Sequence, residues 1–220
     1  SMESINSSGE RRNLTIMFAD LRGFTAFSEK TAPQDVFEML NTYLDRMISI
    51  VLLEQGVVDK IIGDEVMAVF GMLDDQKNGP RDAIEAAIDI LTSIESLNRD
   101  RLQNGQTILQ LGIGIATGPV ALGVLGSRHR KSLTVIGNHV NLAARLEGAN
   151  KEYGTKIMIA ENTYLDAKDT VEVRELDLLR VKGKTKPIRV YEVMGRKNNI
   201  DESTDKLIKQ YTRALELYRA

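Results

Sequence analysis

The sequence predicts an α+β domain, a ferredoxin-like α/β sandwich with a mostly antiparallel sheet and packed helices. Three observations point to it. Short β-rich runs alternate with two long segments of helical period, in the order β-α-β-β-α-β. A Gly-Asp corner ties two adjacent runs into a hairpin. Apolar residues make up 42% and charged residues 27% of the 220, the proportions of a globular chain rather than a disordered one.

Residues 1–11 are polar and read as a linker, with Ser1-Met2 a tag remnant. Asn13–Ala19 is an unbroken apolar run ending at a charge, the pattern of a strand buried on both faces. Thr31-Ala-Pro33 opens a helix, with threonine as candidate cap and proline in the first turn. Val36, Phe37, Leu40, Leu44, Met47, Ile48 and Val51 carry that helix to Glu54, and Gly56 closes it. Val57–Ile62 and Glu65–Phe70 form the hairpin around Gly63-Asp64. Gly79-Pro80 starts a second helix to about Asn104. Strands are expected at Ile108–Thr117, Val120–Leu125 and Leu133–Ile136, then a helix at Val140–Tyr153. Ile157–Ala160, Val171–Leu179 and Ile188–Val193 complete the sheet, with a short helix near Glu161–Ala167. These elements divide the chain into a main domain, 12–196, and a polar helical tail, 197–220, striped by Leu207, Ile208, Tyr211, Leu215 and Tyr218.

Composition removes whole classes of function. There is no cysteine, hence no disulfide framework, thiolate zinc site or cysteine nucleophile. A net charge of −2 gives no electrostatic footprint for nucleic acid, and 5% aromatics with no tryptophan gives no stacking platform. Met47–Leu53 and Leu109–Ala116, the longest apolar runs, are far short of the roughly 20 residues of a membrane span. This stretch is therefore expected to be cytoplasmic and free of membrane contact, any attachment belonging to segments outside it.

Several motifs fail on inspection. Gly112, Gly114 and Gly118 lie in a strand, with the third glycine one position too late for a dinucleotide fingerprint. Gly183-Lys184-Thr185 looks like the end of a P-loop, but Leu178 stands where that loop needs glycine. His129 and His139 lack ligand-like neighbours. The carboxylates say more. Asp20 ends an apolar strand and Asp64 tips an apolar hairpin, and neighbouring central strands would bring both to one edge. Two hard oxygen ligands there suit Mg²⁺ or Mn²⁺ with substrate phosphates, although aspartate is also an ordinary turn residue. The loop leading through Phe24 and Thr25 would offer backbone N–H groups to a phosphate. Asn141 and Arg145, four apart, share a helix face that is either functional or a solvated stripe.

Phe18-Ala-Asp20-Leu-Arg-Gly-Phe-Thr25, Lys60-Ile-Ile-Gly-Asp64 and Thr134-Val-Ile-Gly through Val140-Asn141-Leu-Ala-Ala-Arg145-Leu-Glu147, with Val181-Lys-Gly-Lys184, resemble the class III nucleotidyl cyclase catalytic domain. The resemblance covers about residues 12–195. It implies an adenylate cyclase turning ATP into 3′,5′-cyclic AMP and pyrophosphate. Asp20 and Asp64 would hold two divalent cations, Mg²⁺ or Mn²⁺. Lys60 and Thr134 would recognise adenine. Asn141 would orient the ribose and Arg145 stabilise the transition state. Lys184 and a loop arginine, Arg130 or else Arg128, would contact the phosphates, although Ser132-Leu133 depart from the acidic and aromatic residues common in that loop.

The same resemblance implies a head-to-tail homodimer with shared active sites. One chain would supply Asp20, Asp64 and the loop arginine, the other Lys60, Thr134, Asn141, Arg145 and Lys184. Regulatory domains fused outside this stretch are expected with it. Two rivals remain at the sequence level. Gly63-Asp64-Glu65 is similar to part of the diguanylate cyclase signature, with Ile62 and Val66 departing from it. A non-catalytic dimeric nucleotide-sensing module on the same fold is the other.

Overall fold

The computed structural model describes residues 9–73, 78–179 and 187–219. The elements are β1 (Glu10–Arg22), α1 (Phe24–Ser28), α2 (Pro33–Leu53), β2 (Val57–Ile62), β3 (Glu65–Phe70), α3 (Gly79–Gln103), β4 (Gln110–Gly126), β5 (Lys131–Ile136), α4 (Asn138–Tyr153), β6 (Ile157–Ala160), α5 (Glu161–Ala167), β7 (Val171–Leu179), β8 (Ile188–Arg196) and α6 (Glu202–Arg219). The strands form one sheet in the order β2-β3-β1-β4-β6-β8-β7, with β5 paired to β4 off that path. Only the β4–β6 pairing is parallel among the described residues.

Alternation along β1 explains the layering. Met17, Ala19 and Leu21 face a core shared with α2, α3 and α5. Leu14, Ile16 and Phe18 face a second core under Leu142, Ala143 and Leu146 of α4. Helices therefore cover both faces, where a ferredoxin-like βαββαβ unit alone would cover one. A strand buried on both sides is apolar nearly throughout, which is why Leu14–Ala19 of β1 reads as an apolar run broken only by Thr15, whose hydroxyl is satisfied by that of Thr117 at 2.9 Å.

Three elements differ from the sequence expectation. β1 starts at Glu10 because Glu10–Arg12 pair with Val120–Leu122 of a β4 that does not stop at Gly118-Pro119. Instead of a break, Gly118 accommodates the His139 ring; a Cβ there would lie 2.3 Å from it. The missing side chain serves close approach rather than a turn. Thr31 does not cap α2: the cap is Ala32, extended at ψ 140° as the residue before proline requires. The turn after β1 closes into α1, with Gly23 at φ 89° in a conformation other residues adopt only under strain.

α6 packs back on the domain. Tyr211 donates to the Leu176 carbonyl at 3.4 Å, the Arg174 guanidinium sits 4.7 Å from the Tyr211 ring centroid, and Arg219 pairs with Glu175.

Candidate active site

β1 and β3 are neighbours, with Ala19 opposite Val66, so the residue after Ala19 and the turn before Glu65 meet at one sheet edge. Asp20 and Asp64 stand there close enough to share a hydrogen bond. Gly63, at φ 66°, makes the two-residue turn that presents Asp64. Both carboxylates open on a cavity of about 1000 Å³, which Phe24, Thr25, Arg22, Glu147 and Lys151 also line.

The electrostatics of this edge are those of crowded acids. Burial first, then the Asp20 charge, pushes Asp64 up to about 6. Burial raises Asp20 as well. Glu147 is pushed up to about 7 by burial and then by Asp20 and Glu65, with Arg22 opposing. Glu65 is raised by burial and by both aspartates. Half-buried carboxylates that resist ionisation together are neutralised either by protons or by a cation. That donor set fits a hard divalent ion. Among the described residues no three acidic or histidine side chains form a metal-holding group.

The second group of predicted residues lies elsewhere on the chain. Lys60 of β2 and Thr134 of β5 meet across the sheet end: Lys60 Nζ donates to Thr134 Oγ1 at 3.0 Å. Thr134 opens on a separate cavity of about 220 Å³ with Ala121, Gly123 and Ile136. Asn141 and Arg145 are exposed on α4, and their side chains bond no described residue. None of these four lines the Asp20–Asp64 cavity. Arg130 is exposed in the tight β4–β5 turn, whose Ser127 N–H bonds its carbonyl at 2.8 Å, and it lines neither cavity. Lys184 lies outside the described residues.

α4 holds both kinds of residue in place. Its backbone lies so close to β4 that a Cβ on Gly114 would come within 2.2 Å of the Ala143 carbonyl and the Glu147 nitrogen. The fully buried Asn150 side chain donates to the Ile113 carbonyl at 2.8 Å and accepts from Thr155 Oγ1 at 2.8 Å. The helix thus carries Asn141 and Arg145 outward while Glu147 faces the acidic cavity.

Sequence reasoning assigned no role to Glu147, Arg22 or Asp59. The Asp59 carboxylate accepts from Thr134 Oγ1 at 2.9 Å and forms an ion pair with Lys60 Nζ at 3.0 Å. Its only sequence signal is two opposite charges adjacent in a strand, where neighbours normally face opposite ways.

An α/β sandwich with paired carboxylates at the exit of β1 and the tip of the β2–β3 hairpin is the framework of a nucleotidyl cyclase domain. Residues 7–195 match the family model described as the adenylate and guanylate cyclase catalytic domain, and the chain belongs to that family. It is 40% identical over 190 residues to an adenylate cyclase of Anabaena cylindrica, covering 83% of this chain and 37% of the relative. It resembles the crystal structure of the P. aeruginosa adenylyl cyclase CyaB at TM-score 0.79 and 33% identity, covering 88% of this chain and all of that one. The guanylyl cyclase Cya2 is similarly near, at TM-score 0.78 and 32% identity over 88% of this chain and 98% of that one. The chain spans well under half the length of the curated relatives it matches. Among the described residues no helix is long and apolar enough to cross a membrane.

Proposed function

We propose that this domain is an adenylate cyclase, active as a head-to-tail homodimer that converts ATP to 3′,5′-cyclic AMP and pyrophosphate. The observation that carries this is the division of the predicted site. One chain holds its carboxylate pair in one cavity and its Lys60–Thr134 pair at another, so a second copy is needed to bring complementary halves together. Fold likeness alone does not choose the base, since adenylyl and guanylyl cyclases resemble the chain about equally.

In this reading Asp20 and Asp64 of one chain hold two divalent cations, Mg²⁺ or Mn²⁺, against the nucleotide phosphates. The bound ions supply charge neutralisation and a lowered pKa for the attacking hydroxyl. The ribose 3′-hydroxyl gives up its proton to water, its oxygen forms a bond to the α-phosphorus, and the bond from that phosphorus to the bridging oxygen breaks as pyrophosphate leaves with the electron pair. Phe24 and Thr25 line the same cavity, and their backbone N–H groups would receive the phosphates. From the other chain, Lys60 and Thr134 recognise adenine, Asn141 orients the ribose, and Arg145 meets the charge that develops on the α-phosphate. Arg130 and Lys184 complete the phosphate contacts. The catalytic unit is taken to run from the start of β1 at Glu10 to Arg196, preceded by a linker and followed by the tail, 197–220. Because the relatives are longer, fused regulatory domains outside this stretch and a cytoplasmic position for the domain belong to the same reading.

The test is product analysis with ATP and with GTP, each with Mg²⁺ and with Mn²⁺. Cyclic AMP from ATP that disappears in Asp64→Ala is expected. Cyclic GMP as the main product, or activity indifferent to Asp64→Ala, overturns the reading.

A further inference from the structure

We propose that Asp59 is a specificity-determining positioning residue: it fixes the Thr134 hydroxyl as a hydrogen-bond acceptor only, and so makes the pocket select a 6-aminopurine over a 6-oxopurine. This rests on the reading of Lys60 and Thr134 as the base-recognising pair.

The geometry begins with a bulge. β2 pairs with β3 in register at Val57–Val69 and Val58–Ala68, then skips, with Lys60 opposite Met67. Asp59 is the extra residue. In a regular strand Asp59 and Lys60 would point to opposite faces; a bulge re-aims one of them. Here both side chains reach Thr134. The Asp59 side chain is 3% exposed, against 42% for Lys60, so the carboxylate is shut away beneath the pair while the ammonium reaches outward.

Counting donors and acceptors then leaves little choice. A threonine hydroxyl has one proton and two lone pairs, an ionised carboxylate accepts only, and an ammonium donates only. The Thr134 proton goes to Asp59 Oδ2 at 2.9 Å. One Thr134 lone pair takes a Lys60 proton at 3.0 Å, which leaves one lone pair and no proton for a ligand. Lys60 also forms an ion pair with Asp59 at 3.0 Å and keeps N–H protons for a ligand. The pair presents one acceptor beside one donor. Adenine matches, with its N6 amine toward Thr134 and N1 toward Lys60. Guanine or hypoxanthine in the same pose sets O6 against the Thr134 lone pair and N1–H against the ammonium, wrong at both positions. Without Asp59 the hydroxyl is free to rotate and donate to O6, which repairs one of the two. A lone threonine is indifferent to this difference; the buried carboxylate supplies the discrimination. Sites that leave a buried polar group mismatched reject the wrong substrate strongly.

The experiment compares kcat/KM for ATP, GTP and ITP in the full chain and in Asp59→Ala, Thr134→Val and the double variant. We expect Asp59→Ala to lower the ATP-to-GTP and ATP-to-ITP ratios by about 10-fold or more, on the scale of one mismatched buried hydrogen bond. In the Thr134→Val background it should cause no further loss, because Asp59 acts through the hydroxyl. A loss of the same size in both backgrounds overturns the lock. Unchanged ratios in Asp59→Ala, with altered ratios in Thr134→Val, overturn the lock and leave the base-recognition reading standing. Unchanged ratios in Thr134→Val overturn that reading itself. One arm needs no variant. The unaltered protein should reject ITP about as strongly as GTP, and turnover of ITP comparable to ATP means that selection rests on the 2-amino group and refutes the proposal even if Asp59→Ala does not fold.

Discussion

Replacing Asp64 with asparagine should stabilise the metal-free domain at neutral and alkaline pH, even though it removes a proposed metal ligand. The folded carboxyl titrates at about 6 against an ordinary value of 3.8, chiefly because of burial and then the neighbouring Asp20 charge. A raised folded pKa means that the native state binds this proton more tightly than the unfolded chain does. Protonation therefore favours folding, and the group's contribution falls as pH rises from about 4 through about 6. Two pH units at 1.36 kcal/mol each would come to about 3 kcal/mol. The carboxyl is only half-buried, so solvent and salt screening reduce this to about 1 kcal/mol. For a domain of this size, that is about 2–4 °C in Tm. Thermal unfolding of chelator-treated protein should place Asp64→Asn above the unaltered protein by that margin at pH 8, with the gap closing near pH 4. Saturating Mn²⁺ or Mg²⁺ should reverse the order, because binding to the native state alone stabilises it by about 2.7 kcal/mol at one hundred times Kd. A gap independent of pH, or a variant less stable than the parent at pH 8 without metal, refutes the crowded-carboxylate account.

Two further outcomes bear on the shared site and on the helix that spans it. Mixing Asp20→Ala chains with Asn141→Ala chains, each inactive alone, should restore part of the activity, since one of the two sites in a heterodimer would be intact; no recovery in demonstrated heterodimers contradicts shared sites. Gly114→Ala should cost about 1–3 kcal/mol, because the added methyl meets the Ala143 and Glu147 backbone at 2.2 Å and α4 must move. Calorimetry should show a loss of several degrees in Tm together with a lower kcat, because α4 also carries Asn141 and Arg145, and an unchanged Tm would disprove the tight β4–α4 contact.

Much of this molecule is legible along the chain. Opposite-face burial writes itself into β1 as a nearly continuous apolar run, and helical period marks α2 and α3. The placement of Asp20 at a strand exit and Asp64 at a hairpin tip follows from local pattern, and the cyclase resemblance rests on motifs that are contiguous in sequence. The chain alone thus determines the class of the fold, the carboxylate pair and the types of side chain available to a nucleotide. Tertiary structure decides what those side chains can do. Gly118-Pro119 reads as a break, yet the strand continues because Arg12–Leu14 of β1 pair across it, and the glycine there makes room for the His139 ring. Glu147 looks like one more charge on α4 until the fold buries it among three other acids. Asp59 and Lys60 are neighbours that strand geometry should separate, and only the bulge and a partner 75 residues from Asp59 turn them to the same hydroxyl. A hydrogen-bond direction depends on every group within reach, and those groups come from distant parts of the chain.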